Sequence, residues 1–427
     1  MTESALSDLR VLDLAGEIGV YAGKLLADLG ADVIRIEPPD GDPLREVPPF
    51  FHDVHAADHS LTFFHLNTNK RSVTLDFTKP QGRALFERLV KSADVVIESY
   101  TPGYLDGLGL GYAGLCKIRP DIVLTSITGF GQDGPHARWV WSDIVGVAMS
   151  GMMTLAGDKE DPPNRPYGNQ GYVCAGIDGA AGTMMAIVHR DNTGEGQQVD
   201  VSMQEALSIN QEIAMMAFDM NQRVAARTGA RGLIPIDLPG IGVFECRDGQ
   251  VFAYLGSPGG APWTVMLDWM VAEGMAEDLT EGENFELVQQ LNLRFLTLLV
   301  TEPEKLPARL KVLAHMREVF ARFCLSMDKW TLYQEAQKRR LMIGIVSTPE
   351  DLAKNPQLAA RGWYQDVQHD HLGETVRYAG PPYRLSETPW TMRRRPPLPG
   401  EHTAEVLCDE LGVSRAELDA LRAAGVV

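Results

Sequence analysis

The alternation of strand and helix patterns in the first third of the chain constrains the fold more than any other feature of the sequence. Five short apolar runs lie at residues 11–14, 31–36, 72–75, 94–98 and 122–126. Segments with apolar residues at helical spacing lie between them, and the first of these ends at Gly30, a typical residue just past a helix. Strands that alternate with helices form right-handed βαβ units. We therefore predict an α/β fold with a doubly wound, Rossmann-like sheet.

The character of the sequence changes near residue 225. Residues 171–190 form a predicted helix rich in Gly and Ala, which can pack closely against a sheet or a partner. Beyond residue 225, two strand patterns flank Asp248-Gly249, a typical hairpin turn, and helical patterns follow. We predict a large α/β region at residues 1–224, a smaller α+β region at 225–330, and a further segment at 331–427.

Composition excludes several classes of protein. The chain has 57 Asp and Glu residues against 39 Lys and Arg, a formal net charge of -18, which argues against a broad nucleic-acid-binding surface. A local basic pocket for an anionic small molecule stays compatible with this balance. Five Cys without a C-x-x-C pair indicate a reducing compartment rather than a zinc ribbon. No signal peptide or apolar run of about 18–20 residues is evident, so we expect a cytoplasmic protein that does not enter a membrane.

Two segments near the predicted strands are candidates for ligand binding. The turn at Gly16-Glu17 follows the first strand, and ligands of open α/β sheets bind at the carboxyl ends of strands. The turn lacks the G-x-G-x-x-G pattern, so a nicotinamide or flavin site is poorly supported, and a plain connection is the alternative. Lys70 and Arg71 precede the third strand, where they could hold phosphates or lie in a solvated loop.

Other motifs are weaker. Glycines at 256, 259 and 260 allow a mobile flap over a ligand, or simply a loose turn. His52, His55 and His59 have helical spacing but no evident fourth ligand, so we expect surface imidazoles and no metal site. No G-x-S-x-G elbow or P-loop is present, and Cys174 lies in an apolar stretch typical of a structural thiol.

Several separated motifs together resemble the class III CoA-transferase family, also called CaiB/BaiF. This family includes formyl-CoA transferase, carnitine CoA-transferase and 2-methylacyl-CoA racemase. The motifs lie at residues 10–45, 67–72, 94–109, 128–131, 193–206 and 399–403, so the resemblance covers nearly the whole chain. It implies a large domain built from the N- and C-terminal parts, with residues 331–427 returning to it. It also implies a small domain and two subunits interlocked like rings of a chain.

The resemblance also implies chemistry. These transferases move CoA from an acyl-CoA to a carboxylic acid through an aspartate, which forms a mixed anhydride and then an aspartyl-CoA thioester. A carboxylate suits this role because it is ionised at neutral pH and because covalent intermediates divide one difficult exchange into easier steps. A glycine flap would shield these intermediates from water.

Carried over by position, the resemblance implies a set of residues that bind CoA, with no metal. They are Gly16, Glu17, Asn69, Lys70, Arg71, Ser99, Tyr100, Gly259 and Gly260. Two basic residues that are frequent in the family are replaced here by Pro38 and Gly107.

The catalytic aspartate of the family has no counterpart at its expected place. That place is Gln170-Gly171-Tyr172, which contains no carboxylate, and Asp178 follows several residues later as a weak candidate. The histidine or acidic residue of the related racemases corresponds to Ser142, beside Asp143. The family contains heteromeric enzymes with an aspartate-lacking chain, such as succinyl-CoA:(R)-benzylsuccinate CoA-transferase, and this sequence is similar to that kind of chain.

Four hypotheses follow. The chain is one subunit of a heteromeric transferase whose homologous partner supplies the aspartate, which we favour. Alternatively, it is an active transferase with a nucleophile elsewhere, such as Asp178 or Glu205, but Asp178 would require the site to move by roughly 9 Å along a helix. It could also be a racemase or lyase, or a non-catalytic acyl-CoA-binding scaffold. The sequence leaves open which acid is used and whether the assembly is a homodimer or a heteromer.

Overall fold

A computed structural model describes residues 4–231, 237–256, 259–291, 295 and 303–427 of the chain. It forms two compact units. The larger comprises Met1–Met153, Arg165–Val224 and Ala359–Val427, and the smaller comprises Thr154–Asn164 and Ala225–Leu358. The predicted α/β class is confirmed, because parallel strands and helices alternate through the first part of the larger unit.

A six-stranded parallel sheet organises the larger unit, in the order β3-β2-β1-β4-β5-β6. Its strands are β1 (Arg10–Asp13), β2 (Asp32–Glu37), β3 (Arg71–Thr74), β4 (Val95–Glu98), β5 (Val123–Thr128) and β6 (Gln198–Ser202). The order runs outwards in both directions from the neighbouring pair β1 and β4. This pair is therefore the topological switch point, at whose carboxyl edge an open α/β sheet binds its ligands.

The α-helices of the first half of the chain surround this sheet. They are α1 (Val20–Asp28), α2 (Leu61–Leu66), α3 (Pro80–Ser92), α4 (Tyr104–Gly107), α5 (Tyr112–Ile118), α6 (Asp143–Met149), α7 (Met152–Leu155), α8 (Gln170–Thr193), α9 (Met203–Ser208) and α10 (Glu212–Asn221). Apolar side chains form a separate buried cluster on each face of the sheet. Strands β1 and β4 are buried on both faces, which is typical of the centre of a doubly wound sheet.

Small residues let α8 approach the rest of the unit closely, as predicted for residues 171–190. A Cβ on Gly176 would lie 2.9 Å from the Cβ of Tyr21 in α1, and one on Gly179 would lie 2.5 Å from Ile127 in β5. By length and composition α8 could also cross a membrane, which differs from the expectation that the chain has no such segment. Core helices of soluble proteins share this composition, and 44% of its most apolar stretch is buried in the fold.

The smaller unit contains an antiparallel sheet of β7 (Ile241–Cys246), β8 (Gly249–Tyr254) and β9 (Ile343–Ile345). Its helices are α11 (Trp263–Ala272), α12 (Gly282–Gln290), α13 (Leu306–Leu325), α14 (Lys329–Lys338), α15 (Pro349–Ala353) and α16 (Pro356–Ala360). The predicted hairpin is confirmed, with its two-residue turn at Arg247-Asp248 and Gly249 as the first residue of β8. The boundary expected at residue 330 differs, because β9 pairs with β8 and residues 331–358 pack within the smaller unit.

The C-terminal segment belongs to the larger unit. It contains the antiparallel pair β10 (Tyr364–His369) and β11 (Glu374–Ala379), a π-helix at Glu405–Glu410, and α17 (Arg415–Ala423). The backbone N–H of His402 donates to the carbonyl of Ser72 in β3, and Gly400 N–H donates to the hydroxyl of the same serine. Both ends of the chain therefore contribute to one α/β unit.

Candidate active site

The turns after β1 and β4 meet at the switch point of the sheet. Gly16 N–H donates to the Oγ of Ser99 at 2.7 Å, although the two residues are 83 positions apart. Gly16 is exposed and Ser99 is buried. A side chain at residue 16 would place its Cβ 3.3 Å from Ser99 Oγ, so glycine permits this tight contact. The structure thus brings two of the predicted CoA-binding segments together.

Glu98 and Tyr100 complete this edge. The Tyr100 N–H donates to Glu98 Oε2 at 2.7 Å, which fixes the chain as it leaves β4. Burial raises the pKa of Glu98, and burial also raises the pKa of Tyr100 to about 12. The Tyr100 ring packs on Tyr104, with centroids 4.8 Å apart. Tyr100 therefore offers the edge a neutral, aromatic surface.

A carboxylate from another helix caps the N-terminus of α8, where the family aspartate was expected. Asp143, the first residue of α6, accepts hydrogen bonds through Oδ1 from the N–H groups of Gly171 (2.7 Å) and Tyr172 (3.3 Å). A negative group is stabilising there, because the first N–H groups of a helix lack partners within the helix. Asp143 Oδ2 is buried and has no hydrogen-bond partner among the described residues, and Arg165 Nη1 lies 3.6 Å from it.

Glu17 contacts the same helix start. The Nδ2 of Asn169, the residue before α8, donates to Glu17 Oε1 at 2.5 Å. Burial raises the pKa of the half-buried Glu17, and the nearby Asp143 carboxylate raises it further. Burial and the Glu17 carboxylate both raise the pKa of Tyr172. Two carboxylates, from the β1 turn and from α6, therefore converge on Asn169–Tyr172.

The three positions expected for the aspartate are not equivalent. Gln170 is exposed at the first position of α8, and Tyr172 is half-buried. Gly171 is buried, and a Cβ there would lie 3.0 Å from both Asp143 Oδ1 and Met203 Sδ, so a side chain would crowd its surroundings. Asp178 is exposed and lies about 10 Å along the helix from Gly171, at 1.5 Å rise per residue. It therefore lies well away from the helix start.

Asn69 and Lys70 use their side-chain polar groups within the fold, and CoA binding by this segment stays a prediction. The Lys70 side chain is fully buried, and its Nζ donates to Asp13 Oδ2 (2.7 Å), Val20 O (2.9 Å) and Asn67 Oδ1 (3.1 Å). These three acceptors use all three N–H groups of the ammonium. Burial lowers the pKa of Lys70 to about 8, while the Asp13 carboxylate opposes that change.

The side-chain amide of Asn69 is used equally fully. Its Nδ2 donates to Asp28 and to the carbonyl of Thr391, and its Oδ1 accepts from the backbone of Arg393 and Arg394. Asn69 therefore anchors the C-terminal segment to the N-terminal part of the unit.

The Arg71 guanidinium lies at the amino edge of the sheet, away from Gly16 and Ser99. It pairs with Asp32, the first residue of β2, at 2.6 Å, and also with Glu405 and Glu410. Arg71 itself is level with Ile34 of β2 and Leu12 of β1, and its side chain extends from there towards the start of β2. Arg71 therefore has a structural role in this fold.

The glycine flap lies partly outside the described residues, because Ser257 and Pro258 are not among them. Gly256 and Gly259 have φ of 72° and 87°, which favour glycine. Gly259 and Gly260 belong to the smaller unit. Their role stays a prediction.

The predicted surface histidines do not converge. His52 contacts Glu374, whereas His55 contacts Glu46. In the described part of the chain, Glu277, Asp278 and His315 bring three possible metal-ligand atoms within 4.8 Å of one another. Both carboxylates are exposed, and Glu277 forms a two-pronged ion pair with Arg322, so this group carries no metal assignment.

Sequence reasoning missed Asn169 and the position of Asp143. Both lie next to residues that it considered, since Asn169 precedes the expected aspartate and Asp143 follows Ser142. An Asn at the residue before a predicted helix is a recognisable capping signal. However, its side chain caps nothing here and reaches Glu17 instead, which only the tertiary structure reveals.

Comparisons with known proteins agree with this geometry. The family model described as CoA-transferase family III matches residues 6–403. The chain is 36% identical over 423 residues to subunit BbsE of succinyl-CoA:(R)-benzylsuccinate CoA-transferase from Thauera aromatica, covering 99% of this chain and 98% of the relative. It is 33% identical over 437 residues to formyl-CoA:oxalate CoA-transferase from Streptomyces avermitilis, covering 99% of each.

A solved structure leads to the same family. The crystal structure of a CAIB/BAIF family protein from Brucella suis superimposes with a TM-score of 0.80 at 27% identity, covering 95% of this chain and 99% of the other. A parallel sheet with its switch point at Gly16 and Ser99 and a family match over nearly the whole length lead to one conclusion: this chain belongs to CoA-transferase family III.

Proposed function

We propose that this protein moves CoA between an acyl-CoA, such as succinyl-CoA, and a carboxylic acid in the cytoplasm. The names of the relatives support this choice, because they pair an acyl-CoA with a dicarboxylic acid. The site supports it through its position, since the Gly16–Glu17 turn, Ser99 and Tyr100 lie at the carboxyl edge of the switch point. We assign the CoA contacts of this unit to those four residues and a covering role to Gly259 and Gly260.

We further propose that the chain is one subunit of a heteromer whose homologous partner carries the aspartate. The observation that carries this proposal is the start of α8, where Gln170, Gly171 and Tyr172 contain no carboxylate. The similarity to a relative named as a subunit supports the same assembly. A homodimer is the alternative.

An exposed apolar surface supports close association with a second subunit, which we propose to be interlocked. Met185 of α8, and Ile213 and Met220 of α10, are 68%, 75% and 71% exposed. Exposed apolar side chains such as these are typical of protein–protein interfaces. The larger unit therefore offers a partner exposed apolar side chains, one of them on the helix that begins at the site.

The reaction requires three functions of the protein. The protein must hold the acyl-CoA, present a carboxylate to the thioester, and exclude water from the anhydride and thioester intermediates. The Ser99–Gly16 contact fixes the two turns that would receive the cofactor, and Tyr100 provides a flat apolar wall. The helix start at Asn169–Tyr172 provides the place where the carboxylate acts.

The test is a CoA-transfer assay on the chain alone and on the assembly that co-purifies with it from its native host. Each sample receives succinyl-CoA and, in turn, oxalate, benzylsuccinate and other dicarboxylic acids, and chromatography detects new acyl-CoA. We expect transfer to at least one acid by the assembly. Absence of transfer by both samples for every acid would overturn the proposed reaction.

Association is tested separately by analytical ultracentrifugation. We expect Met185→Asp combined with Ile213→Asp to convert the assembly to single chains, because a charge in an apolar interface is costly. Leu352→Asp is the matched control, since Leu352 is also exposed but lies in the smaller unit. An intact assembly in the double variant would remove this surface from the interface.

A further inference from the structure

We propose that Glu17 is a catalytic nucleophile of this chain, and that its carboxylate replaces the aspartate missing from residues 170–172. This inference rests on the proposed CoA-transferase function. It adds a second acyl acceptor to the assembly: the aspartate of the homologous subunit serves that subunit's own site, whereas Glu17, on the β1 turn rather than on α8, serves the site of this chain, with Asn169 as its hydrogen-bond donor.

Position supports Glu17 first. Its Oε1 lies 2.5 Å from Nδ2 of Asn169, the residue directly before the expected aspartate segment. It belongs to the same turn as Gly16, whose N–H contacts Ser99 at the switch point. A carboxylate on this turn therefore lies both at the helix start and at the edge that would bind CoA.

Comparison with the other carboxylates supports Glu17 further. Asp143 is buried and holds the N–H groups of Gly171 and Tyr172, so it is committed to capping α8. Asp178 points to solvent about 10 Å further along the helix. Glu205 lies in the first turn of α9 and is exposed. Only Glu17 of these four is both accessible and beside the helix start.

The two oxygens of Glu17 have different surroundings, which suits a nucleophilic carboxylate. Oε1 accepts from Asn169, whereas Oε2 accepts no hydrogen bond from the described residues. The free oxygen can attack while the amide holds the other. When thiolate later attacks the glutamyl carbon, negative charge develops on the oxygen that Asn169 already contacts, which is the arrangement of an oxyanion donor.

The proposed steps balance. Glu17 Oε2 attacks the thioester carbonyl, the C–S bond breaks, and CoA thiolate leaves a glutamyl–acyl anhydride. The thiolate attacks the glutamyl Cδ, releases the donor carboxylate and forms a glutamyl-CoA thioester. The acceptor carboxylate then attacks Cδ and expels the thiolate. Attack of that thiolate on the acceptor acyl carbon forms the new acyl-CoA and regenerates the Glu17 carboxylate.

Trapping with hydroxylamine tests the assignment. The chain, alone and in its native assembly, is incubated with succinyl-CoA, quenched with hydroxylamine and mapped by peptide mass spectrometry. We expect a hydroxamate at Glu17 of this chain. Glu17→Gln should lose the label by at least about 10³-fold, whereas Glu17→Asp should keep a reduced signal. Asp178→Asn should label as the wild type does, and thermal melting checks that each variant is folded.

The outcomes separate the two proposals. A hydroxamate only on the homologous subunit, or at another residue of this chain, overturns the role of Glu17 but leaves CoA transfer intact. Unchanged labelling and transfer in Glu17→Gln overturn it as well. Failure of all samples to transfer CoA overturns the proposed function itself, and this inference with it.

Discussion

Two polar clusters of the larger unit differ in how completely their charges are matched. Around β1–β3, five cations are buried, and each pairs with at least one carboxylate. They are Lys24, Arg35, Arg45, Lys70 and Arg71. At the start of α8, Glu17 receives one amide hydrogen bond and Asp143 receives two backbone N–H groups.

The difference separates charged groups that stabilise the fold from charged groups that can take part in a reaction. A buried ion with all its hydrogen bonds satisfied is expensive to disturb and unavailable to a ligand, so the β1–β3 cluster maintains the fold. A half-buried carboxylate with a free oxygen is less stable as an anion, and its oxygen can form a bond. Four predictions test this comparison, from the largest expected effect to the smallest.

Asp13→Asn should destabilise the fold most strongly. Asp13 is fully buried and pairs with Arg35 at 2.9 Å and Lys70 at 2.7 Å, so the substitution leaves two buried cations without their shared carboxylate. We expect a loss of about 3–5 kcal/mol in the free energy of unfolding, measured by urea denaturation. Asp366→Asn, which breaks an exposed pair with Arg377, is the control and should leave the midpoint unchanged. Equal midpoints for both variants would contradict the comparison.

Asn169→Ala should impair activity without affecting the fold. Removing one oxyanion donor typically slows the chemical step by about 10²–10³-fold, and we expect that reduction in the rate of CoA transfer by this chain. Asn192→Ala is the matched control, because Asn192 is an exposed asparagine near the other end of the same helix. The melting temperature of both variants should equal that of the wild type. A normal rate in Asn169→Ala would remove the amide from the mechanism.

Asp143→Ala should have a moderate effect on stability. The substitution removes the acceptor of two N–H groups at the start of α8, and lost helix caps cost about 0.5–2 kcal/mol. We expect a lower urea midpoint together with faster hydrogen exchange at Gly171 and Tyr172. Unchanged exchange at these two amides would show that the carboxylate does not hold the helix start.

The pH dependence should show the smallest effect. Only ionised Glu17 is a nucleophile, and burial raises its pKa; the Asn169 hydrogen bond opposes this rise, and the Asp143 carboxylate adds to it. As the pH is lowered, hydroxamate labelling at Glu17 should therefore fall at a pH above about 4.3, the usual pKa of a glutamate. Removing the Asp143 charge lowers the pKa of Glu17, so Asp143→Asn should move this fall to lower pH. A fall at the same pH in both proteins would rule out coupling between the two carboxylates.

Local pattern was enough to predict the sheet and the small-residue helix. The periodicity of residues 10–126 predicted five parallel strands, and the Gly- and Ala-rich segment at 171–190 predicted the closely packed α8. These inferences succeeded because each depends on the order of neighbouring residues. The sequence did not show that Lys70 and Arg71 pair with carboxylates inside the fold, because charge alone does not tell which acceptors surround a side chain.

The sequence by itself determined the family, the α/β class and the absence of a carboxylate at residues 170–172. Only the tertiary structure decided which carboxylates reach that place. Glu17 and Asn169 are 152 positions apart, and they meet because the turn after β1 and the start of α8 lie at the same edge of the sheet. Local propensity cannot encode such a contact, since it arises from the packing of α8 across the parallel strands.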